Sequence, residues 1–153
     1  MLDETDRKIL EKLQANGRLK NTVLSEAVNL SPTPCLKRVK QLEESGVITG
    51  YRANIDPAKV GLNICSLVLI KLVNNRRQTV DEFTQAIKQV PAITECFLAT
   101  GRVDFVARVY AKDFAHYEEV IKDDLAELPH LDDMETLFLF SNLAPDSGLN
   151  LRG

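Results

Sequence analysis

Two stretches of this chain repeat one pattern at an offset of 38 residues: QVPAITE (89–95) aligns with ELPHLDD (127–133), Pro91 falling on Pro129. The same offset carries Phe83 onto Ile121, Ile87 onto Leu125 and Ile93 onto Leu131, and lays LVLIKL (67–72) over FVARVY (105–110). Each copy has a short β-branched and apolar run, a stretch with helical spacing, and a second apolar run, which predicts strand-helix-strand twice. Joined through a tight ATGRVDF hairpin, the copies give β-α-β-β-α-β, the ferredoxin-like arrangement of an antiparallel sheet with two helices on one face. Such a sheet leaves a face and its edges to be covered, so a homodimer is expected.

The residues before the repeat read differently. DETDRKILEKLQANG offers Asp3 as a helix N-cap with a second carboxylate at Asp6, apolar Ile9, Leu10 and Leu13 on one side, and Gly17 just past the end. NTVLSEAVNL follows with Asn21 as a plausible cap and Leu24, Ala27 and Val28 facing inward; it is too short to be stable alone. SPTPCLKRVKQLEESG is the third helix. Pro32 and Pro34 fall where amide hydrogens lack intrahelical partners, so they cost little there, and Ser31 and Thr33 both qualify as the N-cap. At about 100° per residue, Cys35, Leu36, Val39 and Leu42 share one side, while Thr33, Lys37, Lys40, Gln41 and Glu44 share the other, flanked by Arg38. VITGYRANIDP then alternates as a short strand before a turn-rich DPAKVG.

The fold class that follows is α+β: a helix-turn-helix, winged-helix-like domain over 1–50, a hinge strand and linker over 51–61, and a ferredoxin-like domain over 62–153. Charge follows the same division. The chain of 153 residues carries a net −3, but residues 1–55 hold nine Lys/Arg against seven Asp/Glu while residues 56–153 hold ten against fifteen. This asymmetry suggests a basic module joined to an acidic one.

About four residues around 28–31 join the second and third helices, the length a helix-turn-helix requires. In that motif the third helix enters the major groove of double-stranded DNA. Ser31 and Thr33 at its start, with Lys37 and Gln41, are then placed for base edges or nearby phosphates, and Arg38 and Lys40 for phosphates. A solvated helix face is the other reading of the same residues. In ATGRVDF, Gly101 permits a positive φ, Arg102 and Val103 form the tip, and Asp104 returns the chain to strand. As plain structure this is a hairpin; as a site, free amides near Gly101 suit an amino acid's carboxylate and Asp104 its ammonium, with the Thr136 hydroxyl arriving from a neighbouring subunit.

Enzymatic signals are missing. No Walker loop, GxGxxG, GxSxG or HExxH occurs, and His116 and His130 lack partners at metal or triad spacing. Cys35, Cys65 and Cys96 are odd in number and widely spaced, which excludes a disulfide framework and a CxxC zinc site and points to reduced, small apolar residues. SLVLIKLV is far short of the roughly 20 apolar residues that span a bilayer, and the N-terminus lacks a signal-peptide pattern, so no membrane association and a cytoplasmic location are expected.

Nearly the whole chain resembles the leucine-responsive regulatory protein/AsnC (Lrp/AsnC) family of bacterial and archaeal transcription regulators. The similarity runs from LDETDRKILEKLQANGR through LSPTPCLKRVKQLEESGVITGY and ECFLATGRVDF to METLFLF, and the second segment is close to the leucine-responsive branch. The resemblance implies a DNA-reading helix over 32–45 and a regulator of amino-acid metabolism genes. It also implies a C-terminal domain that dimerises and often assembles four dimers into an octamer. It further implies an effector, leucine or methionine by branch, held between dimers at the loop of Gly101 and Asp104, with no other cofactor and no metal. Two rivals share the architecture: a sirohaem-decarboxylase-like enzyme, which would lean on His116 or His130, and a small-molecule sensor without DNA binding.

Overall fold

The computed structural model describes residues 2–143 and 148–151, which form two compact units: residues 2–54 with 148–151, and residues 55–143. The division after residue 54 falls within the expected linker. Residues 148–151, expected with the second domain, belong to the first unit instead.

The first unit is three helices, α1 (Glu4–Ala15), α2 (Asn21–Ala27) and α3 (Pro32–Glu44). Asp3 caps α1 as expected: its Oδ1 accepts from the Asp6 amide at 2.8 Å, and Asp6 Oδ2 accepts from the Asp3 amide at 3.2 Å, a reciprocal capping box. Asn21 does not cap α2. That position is Lys20, and Asn21 is the first helical residue, its Nδ2 donating to the Pro32 carbonyl at 2.9 Å so that the starts of α2 and α3 are tied together. Asn29, at φ 57°, ends α2 in the left-handed region, and the Leu30 amide reaches back to the Ser25 carbonyl at 2.8 Å, turning the chain toward α3. Ser31 is the N-cap of α3, without a side-chain capping bond.

Ile9, Leu10, Leu24, Val28, Cys35 and Leu42 form this unit's core. Two expected core residues lie outside it. Ala27 is exposed, and Ser25 takes the inward position because its hydroxyl is satisfied by the Thr22 carbonyl at 2.8 Å. Leu36 is 44% exposed, since the buried stripe of α3 is the narrow row Cys35, Val39, Leu42 and Leu36 lies about 100° off it. The expected strand at 47–57 is not formed; a strand needs a partner to satisfy its amides, and no strand is described in the first unit. Instead Tyr51 donates its hydroxyl hydrogen to Glu43 Oε1 at 2.9 Å, and only a 3₁₀ turn, Ala58–Val60, follows.

The second unit has β1 (Ile64–Leu72), α4 (Arg77–Ile87), β2 (Ile93–Leu98), β3 (Phe105–Ala111), α5 (Phe114–Glu119, continued by a π-helical turn Val120–Leu125) and β4 (Leu131–Phe138). The strand order β2-β3-β1-β4, all antiparallel, is the expected ferredoxin-like sheet. The repeat holds in the helices: Thr79, Phe83, Ile87 and Val90 fall on Tyr117, Ile121, Leu125 and Leu128, all buried or packed on the core. It slips in the strands. Ser66, Val68, Ile70 and Leu72 face the helices from β1, and their counterparts on β3 are Phe105, Ala107, Val109 and Ala111, an offset of 39. Because side chains alternate across a sheet, a slip of one residue exchanges the two faces, so an offset of 38 pairs inward Val68 with outward Val106. The outer face carries Leu67, Leu69 and Val106 beside Leu137, rimmed by Arg108 with Glu95 at 3.1 Å. No helix among the described residues is long and apolar enough to cross a membrane.

Candidate functional site

Helix α3 presents one free face. Ser31, Thr33, Lys37, Lys40 and Gln41 are all exposed, and none of their side chains makes a hydrogen bond or ion pair among the described residues. Thr33, Lys37 and Gln41 are four residues apart and Lys40 is three beyond Lys37, so these four side chains share one side of the helix, with Ser31 at its N-cap. Two proline rings stiffen the start of this helix, and Cys35, Val39 and Leu42 fix its other side to the core. An unpaired cationic row on an anchored rod is a surface prepared for an anion.

Arg38 is the exception. It is half-buried, and its Nη1 lies 2.6 Å from Asp3 Oδ2 and 2.8 Å from Asp6 Oδ1, so its charge is already met by the α1 capping box. The Asp6 amide first, and then the Arg38 guanidinium, hold the Asp3 carboxyl below its usual range. A sequence pattern marks Arg38 as one more base on the helix; only the packing of α1 on α3 shows that it is engaged.

The hairpin between β2 and β3 makes a second candidate. Gly101 sits at φ 115°, in the region that favours glycine, and an added Cβ there would meet open space, so the loop backbone is exposed. Asp104 turns the other way. It is buried, accepts the Leu72 amide hydrogen at Oδ2 (2.9 Å) and the Lys71 ammonium at Oδ1 (3.1 Å), while its own amide donates to the Ile70 carbonyl at 2.8 Å. Burial by itself would raise this carboxyl; the Leu72 amide, Lys71 and Asn75 outweigh it and hold the group low. Asp104 therefore locks the hairpin to β1. Beside it lies an open cleft of about 370 Å³ lined by Arg102 and Val103 from the loop, Leu69 and Lys71 from β1, and Asp133 and Glu135 from β4. Lys71, Asp133 and Glu135 are absent from the sequence reading, because only strand register brings them under the loop.

Thr136 is not part of that cleft within one chain. It pairs with Val68 and points to the helix side, where its Oγ1 is 3.1 Å from the Tyr117 hydroxyl, which in turn accepts from Ser66 Oγ at 3.0 Å. The histidines are also apart: His116 Nδ1 accepts the Lys112 amide hydrogen at 3.2 Å, and His130 Nε2 is 2.6 Å from Glu82 Oε2. No group of three or more metal-ligating side chains gathers among the described residues, and the three cysteines are free.

Comparison with known proteins finds a family for each of the two domains. The winged helix-turn-helix DNA-binding family matches residues 2–49, and the Lrp/AsnC ligand-binding domain matches residues 65–149. The leucine-responsive regulatory protein of Haemophilus influenzae is 38% identical over 151 residues, 99% of this chain and 91% of its own. The proline dehydrogenase transcriptional activator of Rhodobacter capsulatus is 37% identical over 131 residues, 86% of this chain and 85% of its own. Among solved structures, a transcriptional regulator from Neisseria meningitidis in complex with L-Met superposes with a TM-score of 0.92 at 32% identity, covering 99% of this chain and 97% of that one.

Proposed function

The chain belongs to the Lrp/AsnC family of transcriptional regulators, with a DNA-binding helix-turn-helix and an amino-acid-binding domain, and we propose that it is a cytoplasmic, sequence-specific regulator of amino-acid metabolism genes that responds to leucine or methionine. The observation that carries the DNA half is the unpaired row on α3. Thr33, Lys37 and Gln41, with Ser31 at the helix start, meet base edges or adjacent phosphates, and Lys40 meets phosphate. Arg38 is reassigned from phosphate contact to holding α3 on α1. Two such helices in a dimer would enter successive major grooves about 34 Å apart.

For the effector, the exposed loop amides of residues 101–103 and Arg102 suit a carboxylate, and the acidic rim of Asp133 and Glu135 suits an ammonium. Leu69 and Val103 supply apolar wall. Asp104 acts by fixing the loop. The choice of leucine or methionine is supported by the names of the similar leucine-responsive proteins and by the L-Met complex of the Neisseria relative. The outer sheet face is covered by a second copy, four dimers form an octamer, and Thr136 is contributed to the cleft from a neighbouring subunit. Ligand then acts by binding one assembly or helix spacing better than another.

A mobility-shift titration with the promoter of its own gene tests the DNA reading, and no shift at low salt sinks it. A thermal-shift screen of the twenty amino acids tests the effector reading: leucine or methionine should raise the transition selectively, and a selective rise with a charged amino acid alone would overturn that choice.

A further inference from the structure

One contact in the first unit is foreign to any helix-turn-helix pattern: residues 148–151 lie on α1. Gln14 grips the backbone of Leu149 with both ends of its carboxamide, Oε1 accepting the Leu149 amide hydrogen at 2.7 Å and Nε2 donating to the Leu149 carbonyl at 3.2 Å. A side-chain amide used in this way reproduces the paired bonds of a neighbouring β-strand, and so it recognises extended backbone rather than a side chain. Two turns earlier on the same face of α1, Arg7 donates to the Leu151 carbonyl.

The side chains divide accordingly. Leu149 is 77% exposed and contributes little but backbone, whereas Leu151 is half-buried and packs on the core of the first unit. Gly148 is required on two counts. Its φ is +77°, and an added Cβ would stand 2.8 Å from Gln14 Oε1 and 3.0 Å from its Cδ, the atoms that make the grip. Where the tail crosses, α1 has Leu10 and Leu13 beside an apolar cleft of about 280 Å³, which Leu2 and Tyr51 also line.

We propose that this face of α1 is a docking site for an extended segment with glycine at its start and one leucine anchor three residues later. Its occupant is the chain's own residues 148–151, which complete the first unit in solution. The site is separate from the α3 face, and its existence does not depend on DNA being the partner of that face. Its consequence is mechanical: α1 supplies Asp3 and Asp6 to Arg38, so a docked tail stiffens the helix against which α3 is set.

Hydrogen–deuterium exchange on the full chain, read by mass spectrometry over α1 and the last ten residues, tests it. In the unmodified protein the tail should exchange about tenfold more slowly than a free chain, as expected for amides held by specific bonds and packing. Gly148→Val and Leu151→Asp should both abolish that protection and speed exchange in α1. Gln14→Leu, which keeps the helix, should likewise release the tail and speed exchange in α1. Leu149→Ala should behave as the unmodified protein. Free-chain exchange of the tail in the unmodified protein overturns the proposal, as does a Leu149→Ala variant that loosens it as far as Leu151→Asp. Protection that vanishes on dilution would assign the groove to another copy's tail and overturn it equally.

Discussion

The Arg38 guanidinium lies 2.8 Å from the Asp6 carboxylate, so the base that a helical wheel places beside the exposed row of α3 is held by an acid of the α1 capping box. A salt link between exposed groups contributes modestly to stability, but this one also sets where α3 stands on its neighbour. Arg38→Gln should lower the melting temperature of the first unit and weaken DNA binding by a factor that does not change with salt. Binding measured at several ionic strengths checks this; a shallower salt dependence would make Arg38 a phosphate contact after all.

Lys37 and Lys40 should behave in the opposite way. Each lysine that neutralises a phosphate releases a counterion, so Lys37→Ala or Lys40→Ala should reduce the slope of log affinity against log salt by about 1 while leaving thermal stability almost unchanged. Unaltered slopes for both variants would exclude this face as the contact surface.

Asp104 is predicted to act on the effector through the fold. Asp104→Ala removes the acceptor of the buried Leu72 amide and should cost about 1–3 kcal/mol in denaturant unfolding of the second unit. Effector affinity should fall with it, because the loop loses its attachment to β1. Glu135→Gln, by contrast, should weaken effector binding with stability unaffected, as calorimetry can separate.

Acid should unfold the second unit through the same groups. Asp104 is held below its ordinary 3.8, and Glu82, chiefly through His130, below its ordinary 4.5. A carboxyl lowered in the folded state stabilises above its ordinary value, and that contribution is lost as pH falls through the folded one. Melting temperature should therefore be flat from neutrality to about pH 5 and drop below about pH 4.5. Asp104→Asn should show a shallower drop, and a parallel curve would remove Asp104 from the explanation.

On the outer sheet face, Leu137 is 42% exposed beside the apolar side chains of β1. Leu137→Glu should shift the mass measured by light scattering toward the monomer while circular dichroism stays unchanged. A mass equal to that of the unmodified protein would move the dimer contact elsewhere.

Local chemistry made much of this legible. Asp3 with Asp6 announces a capping box, two prolines at a helix start cost nothing where no amide is needed, and apolar spacing names α1, α3 and the four strands. The repeat gave the topology but missed the phase of its strands, since an insertion of one residue between strand and helix is invisible to an alignment anchored on Pro91 and Pro129 and yet exchanges the faces of a sheet.

What the chain determined by itself were the features fixed within one or two turns of backbone: the α1 cap, periods, turns and the spacing of the polar row on α3. Tertiary structure alone decided which charges stay free and which are spent. Arg38 is met by residues 35 and 32 positions away, Asp104 by an amide 32 positions away, and Gln14 by a backbone 135 positions away. Electrostatics and hydrogen bonding act over a few ångströms of space, and distance along a sequence carries no record of which atoms the fold will bring that close.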